Sequence, residues 1–132
     1  MRITNHLCFN GNCAAAFRFY EQLLGGRIQT LQTYGESPLA EQTPAHLRNR
    51  IIHATLNLGA QDLFGADVMP EDFARPAGFF VALNVGDIER ARTLFAALSE
   101  GGEVRMPFAQ TYWSRGFGIV IDRFGTPWEI SG

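Results

Sequence analysis

The 132-residue chain has only two cysteines, Cys8 and Cys13, close together near the start. A disulfide framework needs more partners at wider spacing, so the thiols point to a reduced, cytoplasmic setting. Charge is also scarce: 18% of residues are charged and the formal net charge is −2. A nucleic-acid binder needs a basic stripe that releases counterions from phosphates, so none is expected as partner. No apolar run reaches the length of a membrane span, and the start lacks the basic residues and long apolar stretch of a signal peptide. A soluble protein without a membrane partner is therefore expected. A glycine-rich strand-to-helix loop of the nucleotide-binding type is missing too. What remains is 46% apolar, including 11 Phe. That suits a packed domain, and rigid Phe faces suit either a core or a ligand pocket.

Along the chain, residues 3–9 read as a strand. Asn12 reads as the N-cap of a helix over 13–24, whose Ala16, Phe17, Tyr20, Leu23 and Leu24 form one apolar stripe. Gly25-Gly26 stops that helix, since glycine accepts the left-handed C′ conformation. Residues 27–34 alternate as a strand. Residues 35–49 contain two prolines and no period, and read as a long loop able to act as a lid. Strands follow at 50–58 and 61–66, then a Pro-containing connection at 67–77. Asp67 reads as a turn former there.

The order then repeats. A strand at 78–85 precedes a helix at 87–99 capped by Asp87, with Ile88, Ala91, Phe95 and Leu98 on one face. Gly101-Gly102 stops it. Strands at 103–108, 110–121 and 126–131 complete the set, the last two joined by a turn at Phe124-Gly125. "HLCFN" at 6–10 lies over "FVALN" at 80–84, and the two Gly-Gly stops coincide. The pattern predicts an α+β fold: two tandem βαβββ modules whose mixed sheets curve around a cleft.

The words "HLCFNGNCAAAFRFYEQLLGG", "IIHATLNLGAQDLFGAD" and "GGEVRMPFAQTYWSRGFGIVIDRFGTPWEI" resemble the vicinal oxygen chelate superfamily of glyoxalases, bleomycin-resistance proteins and dioxygenases. The similarity is strongest to its PhnB-like branch. The resemblance implies one glyoxalase-like domain over 1–132, with module one at about 1–67, a linker at about 68–77 and module two at about 78–132. It also implies a cytoplasmic homodimer. Metal-using members take four ligands from the first and last strands of each module. Carried over residue by residue, these positions fall on His6, near Leu63, on Phe80 and on Glu129. Phe80 and Leu63 cannot bind a metal, so the set His6 and Glu129 is incomplete. No cofactor is assured, and a divalent metal is the alternative. Zn²⁺ at a catalytic site normally holds three protein ligands.

The same residues carry a second reading. His6 beside Glu129 would form a pair able to exchange a proton, which makes both the catalytic candidates; the plain alternative is a hydrogen-bonded polar pair. Phe64, Phe80, Trp113 and Phe117 are candidate walls of a ligand pocket, with Phe9, Tyr112 and Trp128 as further aromatics. Core packing is the competing account of some of them. Strand alternation puts Tyr112 and Trp113 on opposite faces. His53 is either a ligand-lining residue or a buried, hydrogen-bonded strand histidine. Arg115 reads as an exposed turn residue, and Cys8 as a small buried apolar group. The expected function is binding of a small organic molecule in an aromatic-lined cleft. The alternative is a metal-dependent lyase, isomerase or dioxygenase.

Overall fold

The structure is a computed structural model and describes all 132 residues. Two compact units, Met1–Ala74 and Arg75–Gly132, divide the chain. The first unit contains β1 (His6–Phe9), α1 (Cys13–Leu24), β2 (Arg27–Thr33), β3 (Ile51–Asn57) and β4 (Asp62–Asp67). The second contains β5 (Val81–Asn84), α2 (Ile88–Ser99), β6 (Glu103–Ala109), β7 (Phe117–Ile121) and β8 (Pro127–Ser131). The sheets have the same topology, in the orders β1-β4-β3-β2 and β5-β8-β7-β6. In each, the first and last strands of the unit pair in parallel and the other neighbours are antiparallel. The fold is thus α+β, with two tandem βαβββ modules.

Each sheet buries one face under its own helix. Cys13, Ala16, Phe17 and Tyr20 form the buried side of α1, and Ala91, Leu94, Phe95 and Leu98 that of α2. Both helices set a phenylalanine against a glycine of the sheet: a Cβ on Gly65 would lie 2.6 Å from the Phe17 ring, and one on Gly118 would lie 2.6 Å from the Phe95 ring. The absent side chains give the rings their space. Phe9 meets Phe17 edge-on at 6.2 Å, and Phe9 and Trp128 are buried in their units. Neither is a pocket wall.

The paired glycines divide their work. Gly25 and Gly101 have left-handed φ values of 76° and 70°. Gly26 and Gly102 instead sit where a Cβ would collide with backbone, the Asn57 carbonyl oxygen in the first case and the Ile121 carbonyl oxygen in the second. One glycine turns the chain, and the next lets it pass close to the sheet.

Two buried carboxylates close the modules. Asp67 is 1% exposed. Its Oδ1 accepts from the N–H of Gly11 at 2.7 Å and of Cys13 at 3.1 Å, and its Oδ2 from the N–H of Ile51 at 2.8 Å. Asp67 is therefore no simple turn former. It caps α1 from a distance, while the side chain of Asn12 makes no cap bond. Spacing could not reveal a cap brought in by the last strand of the sheet. Asp122 plays the comparable part between β7 and β8. Its Oδ1 accepts from the N–H of Phe124 at 2.9 Å and of Thr126 at 3.0 Å, and its Oδ2 from the Trp128 indole at 2.8 Å.

Several boundaries differ from expectation. Residues 35–49 are not irregular throughout. They carry short 3₁₀ turns at 34–36, 40–42 and 45–47. Backbone bonds from Tyr34 to Arg50 at 2.9 Å and from Gly35 to Arg48 at 2.8 Å tie the segment's ends together. The strand expected at 110–121 begins only at Phe117. Before it, Thr111 and Ser114 close a turn through the Thr111 N–H on the Ser114 carbonyl at 2.9 Å and the Ser114 N–H on the Thr111 hydroxyl at 3.1 Å. These local side-chain bonds compete with the ladder and win. No helix is long and apolar enough to cross a membrane.

Candidate functional site

The face of each sheet turned away from its helix carries the polar candidates. In the first unit the register sets four residues in one row: His6 opposite Phe64, Phe64 opposite Thr55, and Thr55 opposite Thr30. One row along, Cys8 stands opposite Ala66. His6, Thr30, His53, Thr55 and Phe64 line a concavity of about 460 Å³. His53 is exposed, not buried. Cys8 is also exposed, because alternation sends it to the open face with His6 while Leu7 and Phe9 enter the core. Its neighbour in sequence, Cys13, is fully buried. Burial, then the charge of Asp67, then Cys8 push that thiol's pKa far above its usual range.

In the second unit Glu129 occupies the middle of the open face, with Ala82 on one side and Ile119 on the other. Trp128 and Ile130 point the opposite way and are buried. The acid in the apolar last strand is thus the open-face member of an alternating set. Asn84, Trp113, Arg115, Phe117, Glu129 and Ser131 line a concavity of about 480 Å³. Trp113 packs edge-on against Phe117 at 5.3 Å and against Tyr112 at 4.7 Å. Tyr112 and Trp113 lie on a turn, so strand alternation does not separate them. Trp113 remains 54% exposed. Arg115 is exposed as expected. Phe80 is not in this concavity. It stands before β5, in a third one of about 300 Å³ with Phe79, Arg75 and Arg105.

The sequence-predicted residues therefore fall into three groups. His6, His53 and Phe64 share one concavity, Trp113, Phe117 and Glu129 another, and Phe80 lies in the third. Sequence reasoning missed Thr30, Thr55, Asn84 and Ser131. Thr55 pairs with Phe64 and Ser131 with Phe117, and Thr30 and Asn84 extend the same two rows, a grouping set by strand pairing.

The register also moves the module-one counterpart of Glu129 three residues along from Leu63. Cys8 is the counterpart of Ala82 in the repeat, and Ala82 pairs with Glu129 while Cys8 pairs with Ala66. The module-one counterpart of Glu129 is Ala66. Leu63 is buried in the core of its unit.

A resident metal does not fit this donor set. His6 has Phe64 as its neighbour in the ladder, and Glu129 has Ala82 and Ile119. No group of three or more His, Cys, Asp or Glu side chains is arranged to hold an ion. Structural zinc sites take four protein ligands and catalytic zinc sites three.

Comparison with known proteins agrees with the repeat and the topology. A family model described as 3-demethylubiquinone-9 3-methyltransferase matches residues 1–131. Protein YjdN of Escherichia coli (strain K12) is 32% identical over 139 residues, which covers 99% of this chain and 95% of YjdN. The crystal structure of protein PA1353 from Pseudomonas aeruginosa matches with a TM-score of 0.89 at 38% identity, over 99% of this chain and 96% of that one. A Bacillus cereus structure, described as a putative 3-demethylubiquinone-9 3-methyltransferase, PhnB protein, matches with a TM-score of 0.83 at 25% identity, over 99% and 98% of the two chains. The chain belongs to this PhnB-like family.

Proposed function

We propose that the protein binds a small, flat organic molecule on the open face of its second sheet, without a metal. One observation carries this reading: the half-exposed Trp113, held edge-on to Phe117 at 5.3 Å, stands beside the polar groups of Glu129, Arg115 and Asn84 in one concavity. Aromatic walls with a few convergent polar groups are the usual makeup of a small-molecule site. Glu129 is a polar anchor there. It has no hydrogen bond or ion pair within the protein, so its carboxylate is free for a ligand's donor. Its neighbours Ala82 and Ile119 leave the space over the sheet open. Binding takes place in a cytoplasmic homodimer, a reading that rests on the family resemblance and on two free thiols.

The family's description names methyl transfer. Dinucleotide-binding folds hold a pyrophosphate at a helix N-terminus opened by a glycine turn. In this chain the N–H groups of Gly11 and Cys13 at the start of α1 are donated to Asp67. An internal carboxylate thus occupies the N–H groups that such a pyrophosphate would need.

The test is a panel of flat aromatic compounds in neutral, cationic and anionic forms. Tryptophan fluorescence and thermal unfolding are recorded for the wild type and for Trp113→Phe. Binding quenches the exposed Trp113, leaves the signal of buried Trp128, and raises Tm as mass action requires. In Trp113→Phe the quench disappears. A panel that neither quenches nor stabilises the wild type sinks the reading.

A further inference from the structure

We propose that the concavity at the entry to β5 is a separate site for an organic carboxylate. It shares no lining residue with the concavity around Trp113 and Glu129. Phe79 and Phe80 stand 43% and 45% exposed at its wall, and Ile121 and Pro127 supply further apolar surface. Two adjacent phenylalanines half in water are costly unless something covers them. The cations of the site are Arg75 and Arg105, in a chain whose eleven basic side chains are all arginine.

The position of Arg105 is built into the sheet. Val104 pairs with Val120 and Met106 with Ile119, so Arg105 is the extra residue of a bulge in β6. A bulge re-aims a side chain that regular alternation would send elsewhere, and Arg105 reaches the concavity. Both arginines already hold a carboxylate, that of Glu103. Arg105 Nε lies 3.0 Å from Glu103 Oε1, and Arg75 Nη2 lies 3.6 Å from Oε2. These three side chains are more than half exposed, and exposed ion pairs are weak. Neither Nη group of Arg105 bonds a protein acceptor.

Glu103 therefore acts as a loosely held internal occupant. An incoming carboxylate replaces like with like, engages the planar guanidinium end-on and sets its apolar body on Phe79 and Phe80. No bond is made or broken. The ligand class is a monocarboxylic acid with a compact aromatic or aliphatic body, in keeping with a volume of about 300 Å³.

Phenylacetate is the probe and phenylacetamide its neutral counterpart, each titrated at low salt by calorimetry with ligand-observed NMR. Phenylacetate is expected to bind the wild type at least about tenfold more tightly than the amide, since the charge assists both hydrogen bonds. Arg105→Gln should weaken phenylacetate by about tenfold and leave the amide unchanged. Glu103→Gln should tighten phenylacetate by roughly fivefold, because it removes the competitor for both guanidiniums. Both substituted positions are exposed, and circular dichroism checks that each variant keeps its fold. Equal binding of acid and amide overturns the proposal, as does indifference to Arg105→Gln and Glu103→Gln. Absence of phenylacetate binding to both wild type and Glu103→Gln overturns it as well. The Trp113 quench reports the other concavity, so failure here is distinguishable from failure there.

Discussion

The indole N–H of Trp128 donates to Oδ2 of Asp122 across 2.8 Å, in a part of the second unit where both residues are buried. The bond ties the start of β8 to the end of β7, while the other oxygen of Asp122 holds the turn between them. Trp128→Phe keeps most of the ring and leaves a buried carboxylate oxygen without that partner. Its expected cost is about 2 kcal/mol. Asp122→Ala strands two backbone donors and the indole together, and should cost about 3 kcal/mol or more. Urea unfolding of the two variants checks the order.

Asp67 should be still less replaceable. Its two oxygens serve three backbone N–H groups on two separate segments, the β1–α1 junction and the start of β3. Asp67→Asn presents one acceptor oxygen and turns an NH₂ group toward an N–H donor. A loss of about 3 kcal/mol is expected, read as a lower denaturant midpoint. Asn12→Ala, at the nominal cap position, should change the stability by no more than about 0.5 kcal/mol, because its side chain makes no cap bond.

The two glycines after α1 should respond differently to alanine. Gly25→Ala places a methyl group at a left-handed φ of 76° with nothing within 4 Å, so only backbone strain of about 1 kcal/mol is expected. Gly26→Ala drives its Cβ to 2.6 Å from the carbonyl oxygen of Asn57. That forces β3 and the helix exit apart and should cost about 2–3 kcal/mol. Thermal unfolding of the pair decides, and a larger loss at Gly25 would falsify the division of work between them.

Alkali should weaken the fold through Cys13. The thiol's pKa is raised in the folded state, chiefly by burial, above its ordinary value of 9.0. Below that value both states keep the proton and the stability is complete. As pH rises past 9.0 the unfolded chain releases its proton first, and stability falls by up to about 1.4 kcal/mol per pH unit for this one group. Tyr34, raised by burial and then by Asp67 from 10.0, adds a second loss at higher pH. Urea midpoints between pH 8 and 10.5 should fall in the wild type, and Cys13→Ala should show a shallower decline. In the native protein a thiol reagent should modify Cys8 quickly and Cys13 only after denaturation.

Glu129→Gln separates anchoring from architecture. The carboxylate has no protein partner, so Tm should stay within about 1 °C while cationic members of the aromatic panel lose roughly tenfold in affinity. Dialysis against a chelator should leave both Tm and ligand binding unchanged. Stoichiometric metal in protein purified without an affinity tag, lost on dialysis together with ligand binding, would restore the metal-assisted alternative.

Much of the fold was legible because it rests on local signals. The apolar stripe of α1, the Asp87 cap and the paired Gly-Gly stops are short-range patterns, and their repetition announced two copies of one module. What escaped was long-range or competitive. Asp67 caps a helix across 54 residues, which no spacing rule contains. The Thr111–Ser114 turn replaces half of an expected strand because hydroxyls satisfy the backbone locally. In the site, residue types were easy to single out and their grouping was not. Grouping depends on strand register, and a bulge at Arg105 or a shift from Leu63 to Ala66 changes which side chains share a concavity.

The sheet pairings also bear on how the chain acquires its structure. Every hydrogen-bonded strand pair joins two strands of the same unit. As the chain leaves the ribosome, the first sheet has all its partners once Asp67 has emerged, before any strand of the second exists. The parallel pair of each unit, β1 with β4 or β5 with β8, joins the strands farthest apart in sequence and so closes the most expensive loop. Folding can thus proceed as two successive short problems of the same kind, each with one long loop to close.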